Sequence, residues 1–102
     1  ELLEEPPLWE VVAHLGRGGV LVRHGLELSS AELGQLVEGA CVEELELEGN
    51  RLRYRKLLGE GPERGWVSLA FKGRELLVRL PLREARLRRR LRRLEEAAVA
   101  WP

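Results

Sequence analysis

"EELELEGNRLRYR", residues 43–55, decides how the chain is read, because its charges change sign at Gly49-Asn50. Glutamates alternate with leucines before that pair, and arginines alternate with leucine and tyrosine after it. Period-two alternation marks a half-buried strand, and Gly-Asn between two such runs predicts a tight type II′ hairpin turn. With those two residues at the centre, Leu47 lies opposite Leu52, and Leu45 opposite Tyr54, on one face. On the other face Glu48 meets Arg51, Glu46 meets Arg53 and Glu44 meets Arg55. Each opposite-charge pair contributes about 0.2–1 kcal/mol. Their larger effect is on register, since a one-residue slip would bury the charges and expose the leucines. The expectation is a self-neutralised outer ladder over a core holding Leu45, Leu47, Leu52 and Tyr54, with Trp66 joining from a later strand. On that reading the hairpin arginines are not available to a partner.

Working outward, Pro6-Pro7 makes residues 1–7 an extended lead-in. "LWEVVAHL" (8–15) and "VLVRH" (20–24) read as strands broken by "GRGG" (16–19), and 25–40 reads mostly as loop, with Ser29-Ser30 able to start one helical turn. Strands at 41–48 and 51–58 form the central hairpin. A Gly/Pro loop (59–65) follows, then a last hairpin made of 66–71 and 75–80 around a "KGR" turn.

A chain of 102 residues fits one small domain. It holds no apolar run long enough to span a bilayer as a helix. Every acid is Glu and nearly every base is Arg. The net charge of zero hides an asymmetry: residues 1–50 hold two Arg and eleven Glu, a balance of −9, and residues 51–102 hold thirteen Arg, two Lys and six Glu, a balance of +9. A neutral total therefore does not exclude a basic binding surface. The chain opens at Glu1 rather than Met, which fits a processed or partial product and import into an organelle or secretion.

Several motifs in order carry a family resemblance: "VRHG" (22–25), Ser29-Ser30, "LGQLVEGACV" (33–42), the charged hairpin and "GWVSL" (65–69). Together they resemble the bacterial SH3-like (SH3b) repeat, through Val22, Arg23, Gly25, Gly34, Leu36, Gly39, Val42, Gly65, Trp66 and Val67. The ending is also similar to SH3-like modules of dinoflagellate algae. Leu21 stands where that family usually has Asn, and Tyr54 where it more often has Trp. The resemblance covers about residues 20–71 and implies a small, bent antiparallel barrel. The family's binding of short peptides or cell-wall fragments transfers poorly, because such grooves need clustered aromatics and this chain has five.

"LREARLRRRLRRLEEAAVAW" (82–101) falls outside that pattern. Leu87, Leu91, Leu94, Ala98 and Trp101 recur at helical spacing as one apolar stripe, and Pro81 stands where a helix can begin. Seven arginines (Arg83, Arg86, Arg88, Arg89, Arg90, Arg92 and Arg93) occupy the other faces. They come first and Glu95-Glu96 last, against the helix dipole, so an acidic surface outside or within the chain is expected to support the helix. Docking of the leucine stripe onto the barrel would leave the charges solvated. The arginines could instead grip acidic surfaces of a larger assembly through forked guanidinium–carboxylate contacts, or bind RNA phosphates. Attachment to a membrane surface is a further use of such a helix.

Catalytic chemistry finds no support in the pattern. "GRGG" lacks the spacing and Lys-Ser/Thr of a phosphate loop. His14, His24 and Cys41 lack metal-ligand spacing, and no serine sits in a hydrolase elbow. Cys41 reads as a small apolar strand residue. The expected fold is all-β: a small SH3-like antiparallel barrel over 8–80 with a C-terminal amphipathic α-helix over 82–101. The expected function is a non-catalytic module without cofactor or metal. It docks onto a larger protein complex through Arg83, Arg86, Arg88, Arg89, Arg90, Arg92 and Arg93 with Leu87, Leu91 and Leu94. The algal resemblance suggests a chloroplast host such as a photosystem. RNA-binding or ribosome-associated work is the alternative, with no DNA sequence readout and no transmembrane segment.

Overall fold

The hairpin at Gly49-Asn50 forms the middle of a seven-stranded antiparallel sheet. The computed structural model describes residues 5–13 and 19–100, with the side chains of 99 and 100 excepted. His14, Arg17 and Trp101, and residues 1–4 of the expected lead-in, lie outside the described residues. In chain order the strands are β1 (Leu8–Val11), β2 (Gly19–Arg23), β3 (Glu32–Val37), β4 (Cys41–Glu48), β5 (Arg51–Leu58), β6 (Arg64–Ser68), β7 (Ala70–Phe71), β8 (Arg74–Glu75) and β9 (Leu77–Arg79). Helix α1 (Leu82–Ala100) follows. The sheet order is β3-β2-β6-β5-β4-β1-β9, and β7-β8 form a separate two-residue ladder. Mostly antiparallel β structure with one C-terminal helix matches the sequence reading at that level.

One core cluster draws Leu36 from β3 and Leu77 from β9, the two edges of the sheet, together with Val22, Val42, Leu52, Tyr54 and Val67 from strands between them. Seven strands laid flat would separate those edges by roughly 29 Å at about 4.8 Å per step. Sharing a core therefore requires the sheet to curl on itself, although no ladder joins β3 to β9 among the described residues. Trp66 is also buried, and the Tyr54 hydroxyl donates to the Pro62 carbonyl at 2.7 Å, so its burial leaves no orphaned donor.

Several elements differ from the sequence expectation, each for a local reason. Gly49 carries φ 57° and Asn50 is not in the positive-φ region, which fits the type II′ turn. The register then holds for three steps only: Glu48↔Arg51, Leu47↔Leu52 and Glu46↔Arg53. A bulge between Glu44 and Glu46 inserts Leu45, so Tyr54 faces Glu44 and Arg55 faces Glu43. Leu45 is half-buried and Leu47 is 45% exposed, so neither belongs to the core. The cause is position: β1 pairs with β4 only over Cys41–Glu43, leaving the far end of β4 as an edge, whereas Leu52 on β5 is flanked by Val67 of β6.

The stretch expected to be loop holds β3, paired with β2. Ser30 does not start a helical turn; its hydroxyl accepts from the Gly25 N–H at 3.1 Å and donates to the Glu27 carbonyl at 2.6 Å, closing a bend ahead of β3. The expected last hairpin shrinks to β7-β8, because β9 crosses to the other side of the sheet and pairs with β1. Gly65, which opens the Gly-Trp-Val run, has φ 154°, and a Cβ there would stand 2.4 Å from Val22 Cγ1; only glycine lets β6 approach β2 so closely.

Candidate functional site

Arginine, leucine, glutamate and alanine are all strong helix formers, and α1 starts where the Pro81 carbonyl accepts the Ala85 N–H at 2.9 Å. The helix lies on the outer face of the curled sheet. Its apolar footing is small: Ala85 packs with Leu8 and Cys41, bordered by Leu57, Leu58 and Leu80.

Arginines provide most of the contact. Glu43 of β4, only 5% exposed, is the anchor. The Glu43 Oε2 accepts from Arg89 Nη1 at 2.7 Å and its Oε1 accepts from Arg55 Nε at 2.8 Å. Arg89, itself 8% exposed, also meets Glu5 at 3.3 Å and donates to the Pro6 carbonyl. Arg88 reaches Glu10 of β1 at 3.6 Å and Glu84 at 3.7 Å. Arg92 donates to the Leu57 carbonyl at 2.7 Å and to Glu96 at 3.2 Å. Burial alone would raise the pKa of Glu43. The hydrogen bonds and charges of Arg89 and Arg55 outweigh it and hold the carboxyl below its ordinary range.

This reverses the expected docking of the leucine stripe onto the barrel, and the acidic surface that supports the helix lies within the chain. Arg88, Arg89 and Arg92 face the protein's own sheet and N-terminal segment. The stripe faces outward instead, with Leu87, Leu91 and Leu94 exposed at 49%, 50% and 60%. The surface under the helix explains why. It presents carboxylates at Glu5, Glu10 and the nearly buried Glu43; a leucine face would take water from them and leave Glu43 with Arg55 alone, whereas the helix guanidinium groups satisfy all three. The −9 and +9 halves of the chain thus meet within the chain. The sequence reading missed Glu5, Glu10 and Glu43; the charge asymmetry and the helix's misfit with its own dipole were the available signals.

The remaining helix arginines stand apart from this lock. Arg83, Arg86, Arg90 and Arg93 are exposed and, among the described residues, pair with no carboxylate. Together with Leu82, Leu87 and Glu5 they line a groove of about 580 Å³ running beside the leucine stripe.

The hairpin ladder is only partly as expected. Arg53 pairs with Glu46 at 3.1 Å, but Arg55 takes Glu43 in place of Glu44. Glu44 accepts instead from Trp9 Nε1 at 2.9 Å. Arg51 stands opposite Glu48 in register, yet its guanidinium donates to the carbonyls of Leu26 and Gly25 and to Ser68 Oγ.

Cys41 lies buried beneath α1, and burial pushes its thiol up to about 11, which makes it a poor nucleophile. No group of three or more His, Cys, Asp or Glu side chains is placed to hold a metal among the described residues. Among the described residues no helix is long and apolar enough to cross a membrane. Compared with protein-family models, curated proteins and solved structures, the chain matches none.

Proposed function

We propose that the protein is a non-catalytic SH3-like binding module that docks onto a larger protein assembly through the outer face of α1. The observation that carries this reading is the solvent-facing row of Leu87, Leu91 and Leu94 on a helix whose other side is already held by the buried Arg89–Glu43 pair. A contiguous apolar stripe on a small domain marks an interaction site, and a preformed amphipathic helix is a common recognition element. Arg83, Arg86, Arg90 and Arg93 flank the stripe and suit a partner with an acidic rim. The lock through Arg88, Arg89 and Arg92 holds the helix rigid, which lowers the ordering cost of binding. Placement of that assembly in a plastid rests on the algal resemblance alone.

The test compares the full chain with a triple variant, Leu87→Gln, Leu91→Gln and Leu94→Gln, in its native cells. Size fractionation of gently lysed cells should find the parent in a high-mass complex and the variant free, with unchanged circular dichroism. A variant retained in the complex would remove the stripe from the interface.

RNA binding is the second reading, favoured by the four unpaired arginines along the groove. With four phosphates neutralised, log K should fall against log salt with a slope of about −3, at roughly −0.7 per phosphate on a single strand. No RNA retained at low salt eliminates it.

A further inference from the structure

We infer that the occupant of the leucine stripe is a second copy of this chain, the two α1 helices pairing antiparallel. This rests on the docking surface proposed above and names its partner. The spacings of four, three and four between Leu87, Leu91, Leu94 and Ala98 alternate as the two core positions of a helix-pairing seam do. All four residues are exposed.

The charges beside the seam choose both the partner and the direction. Heptad positions put Arg88 and Glu95 on one flank, and Arg83, Arg90 and Ala97 on the other. In an antiparallel pair with Leu91 against Leu94 of the second copy, Leu87 falls against Ala98, so large and small residues alternate. The same alignment brings Glu95 of the second copy, twice by symmetry, to the outer side of Arg88, a further carboxylate beyond Glu10 and Glu84, which Arg88 already meets at 3.6 and 3.7 Å, and it sets Arg90 beside Ala97. No like charges meet. A parallel pair would set Arg90 beside Glu95, but it would also set Arg83 against Arg88 and stack Glu84 on Glu84 in the seam. The antiparallel arrangement also lays each arginine-rich first half beside the negative, C-terminal end of the other helix, which relieves the mismatch each has with its own dipole. The contact is the same patch on both copies, so it closes as a twofold dimer.

Other occupants fit less well. An anionic membrane would favour cations along the whole face, but Glu95 stands on one flank and Glu84 in the seam. RNA has no use for the leucines. Three leucines and an alanine fall short of the about 800 Å² per partner of a standard interface, so the dimer belongs to the weak, reversible class and is sought across micromolar and higher concentrations.

Sedimentation equilibrium of the purified full chain through that range should show the mass rise from 11.6 kDa toward twice that value. Glu95→Arg leaves the stripe intact and should weaken the dimer about tenfold. Direction is read by mixing Leu91→Cys with Leu94→Cys under mild oxidation, Cys41 being buried and unreactive. Crosslinks should form between the two variants rather than between like copies. A mass fixed at the monomer, like-with-like crosslinks, or a monomer that instead sediments with phosphatidylserine vesicles or retains RNA would overturn the inference. If the chain stays monomeric while the triple-leucine variant still leaves the native complex, the second copy fails and the docking surface stands. A dimer beside an unaffected complex does the opposite: the second copy stands and the larger assembly is lost as the stripe's partner.

Discussion

The β4-β5 hairpin and helix α1 are built from the same two ingredients, leucine and paired charge, yet they orient them oppositely. In β5 the apolar positions Leu52 and Tyr54 point into the core and the arginines point out. In α1 the arginines Arg88, Arg89 and Arg92 turn toward the protein and the leucines turn away. A strand inherits its orientation from a backbone ladder with neighbours on both sides, so its apolar face follows the sheet. A helix added afterwards satisfies its backbone internally and is free to rotate; the surface waiting for it selects the face. Here that surface carries buried Glu43, and the need to neutralise one carboxylate outweighs the gain from covering three leucines.

Covered and uncovered leucines differ most within the hairpin. Leu52→Ala should cost about 2–5 kcal/mol, because the side chain is fully buried and a cavity remains. Leu47→Ala, directly opposite in the ladder, should cost under about 0.5 kcal/mol because Leu47 lies at the uncovered edge. Urea denaturation of both variants measures the difference; equal losses would mean that β4 is covered beyond Glu43.

The next test falls on the helix lock. Glu43→Gln leaves Arg89 buried without its full counter-charge and should destabilise by about 3 kcal/mol, since breaking one half of a buried pair strands the other. Glu5 and the Pro6 carbonyl retain part of the stabilisation. The same residue sets a pH dependence. Its folded pKa lies below the ordinary value of 4.5, so the unfolded chain binds the proton more readily. Stability from Glu43 is complete above about pH 4.5 and is lost as pH falls through the lower folded value. Thermal melts at successive pH values should show that fall in the parent and a shallower one in Glu43→Gln.

How much of this could be read beforehand differs between the two regions. The turn was legible because Gly-Asn between alternating runs has few alternatives. The bulge at Leu45 was not, since no glycine marks it and pairing with β1 favours Glu43 on the outer face. Strand β3 was hidden because Gly34 and the bend closed by Ser30 give "ELGQLV" and its surroundings the composition of a loop. For α1 the period predicted that one face is apolar, but periodicity carries no sign and cannot tell which way that face looks. The residue that decides, Glu43, is 46 positions from Arg89, and its burial depends on the unmarked bulge.

Leu91, on the outward face of α1, should barely affect stability at all. Leu91→Gln keeps helix propensity almost unchanged and removes an apolar side chain that is already half in water, so the monomer should lose less than about 0.5 kcal/mol. Urea denaturation at concentrations too dilute for self-association checks this. A leucine facing the sheet would cost several times more on the same substitution, because glutamine would be buried without partners. Near-silence in stability together with lost association would separate the two duties of the helix: arginine holds it to its own chain, and leucine is left for something else. A loss of about 2 kcal/mol or more, in the range of a buried leucine, would instead place the stripe against the protein and return α1 to the same rule as the hairpin.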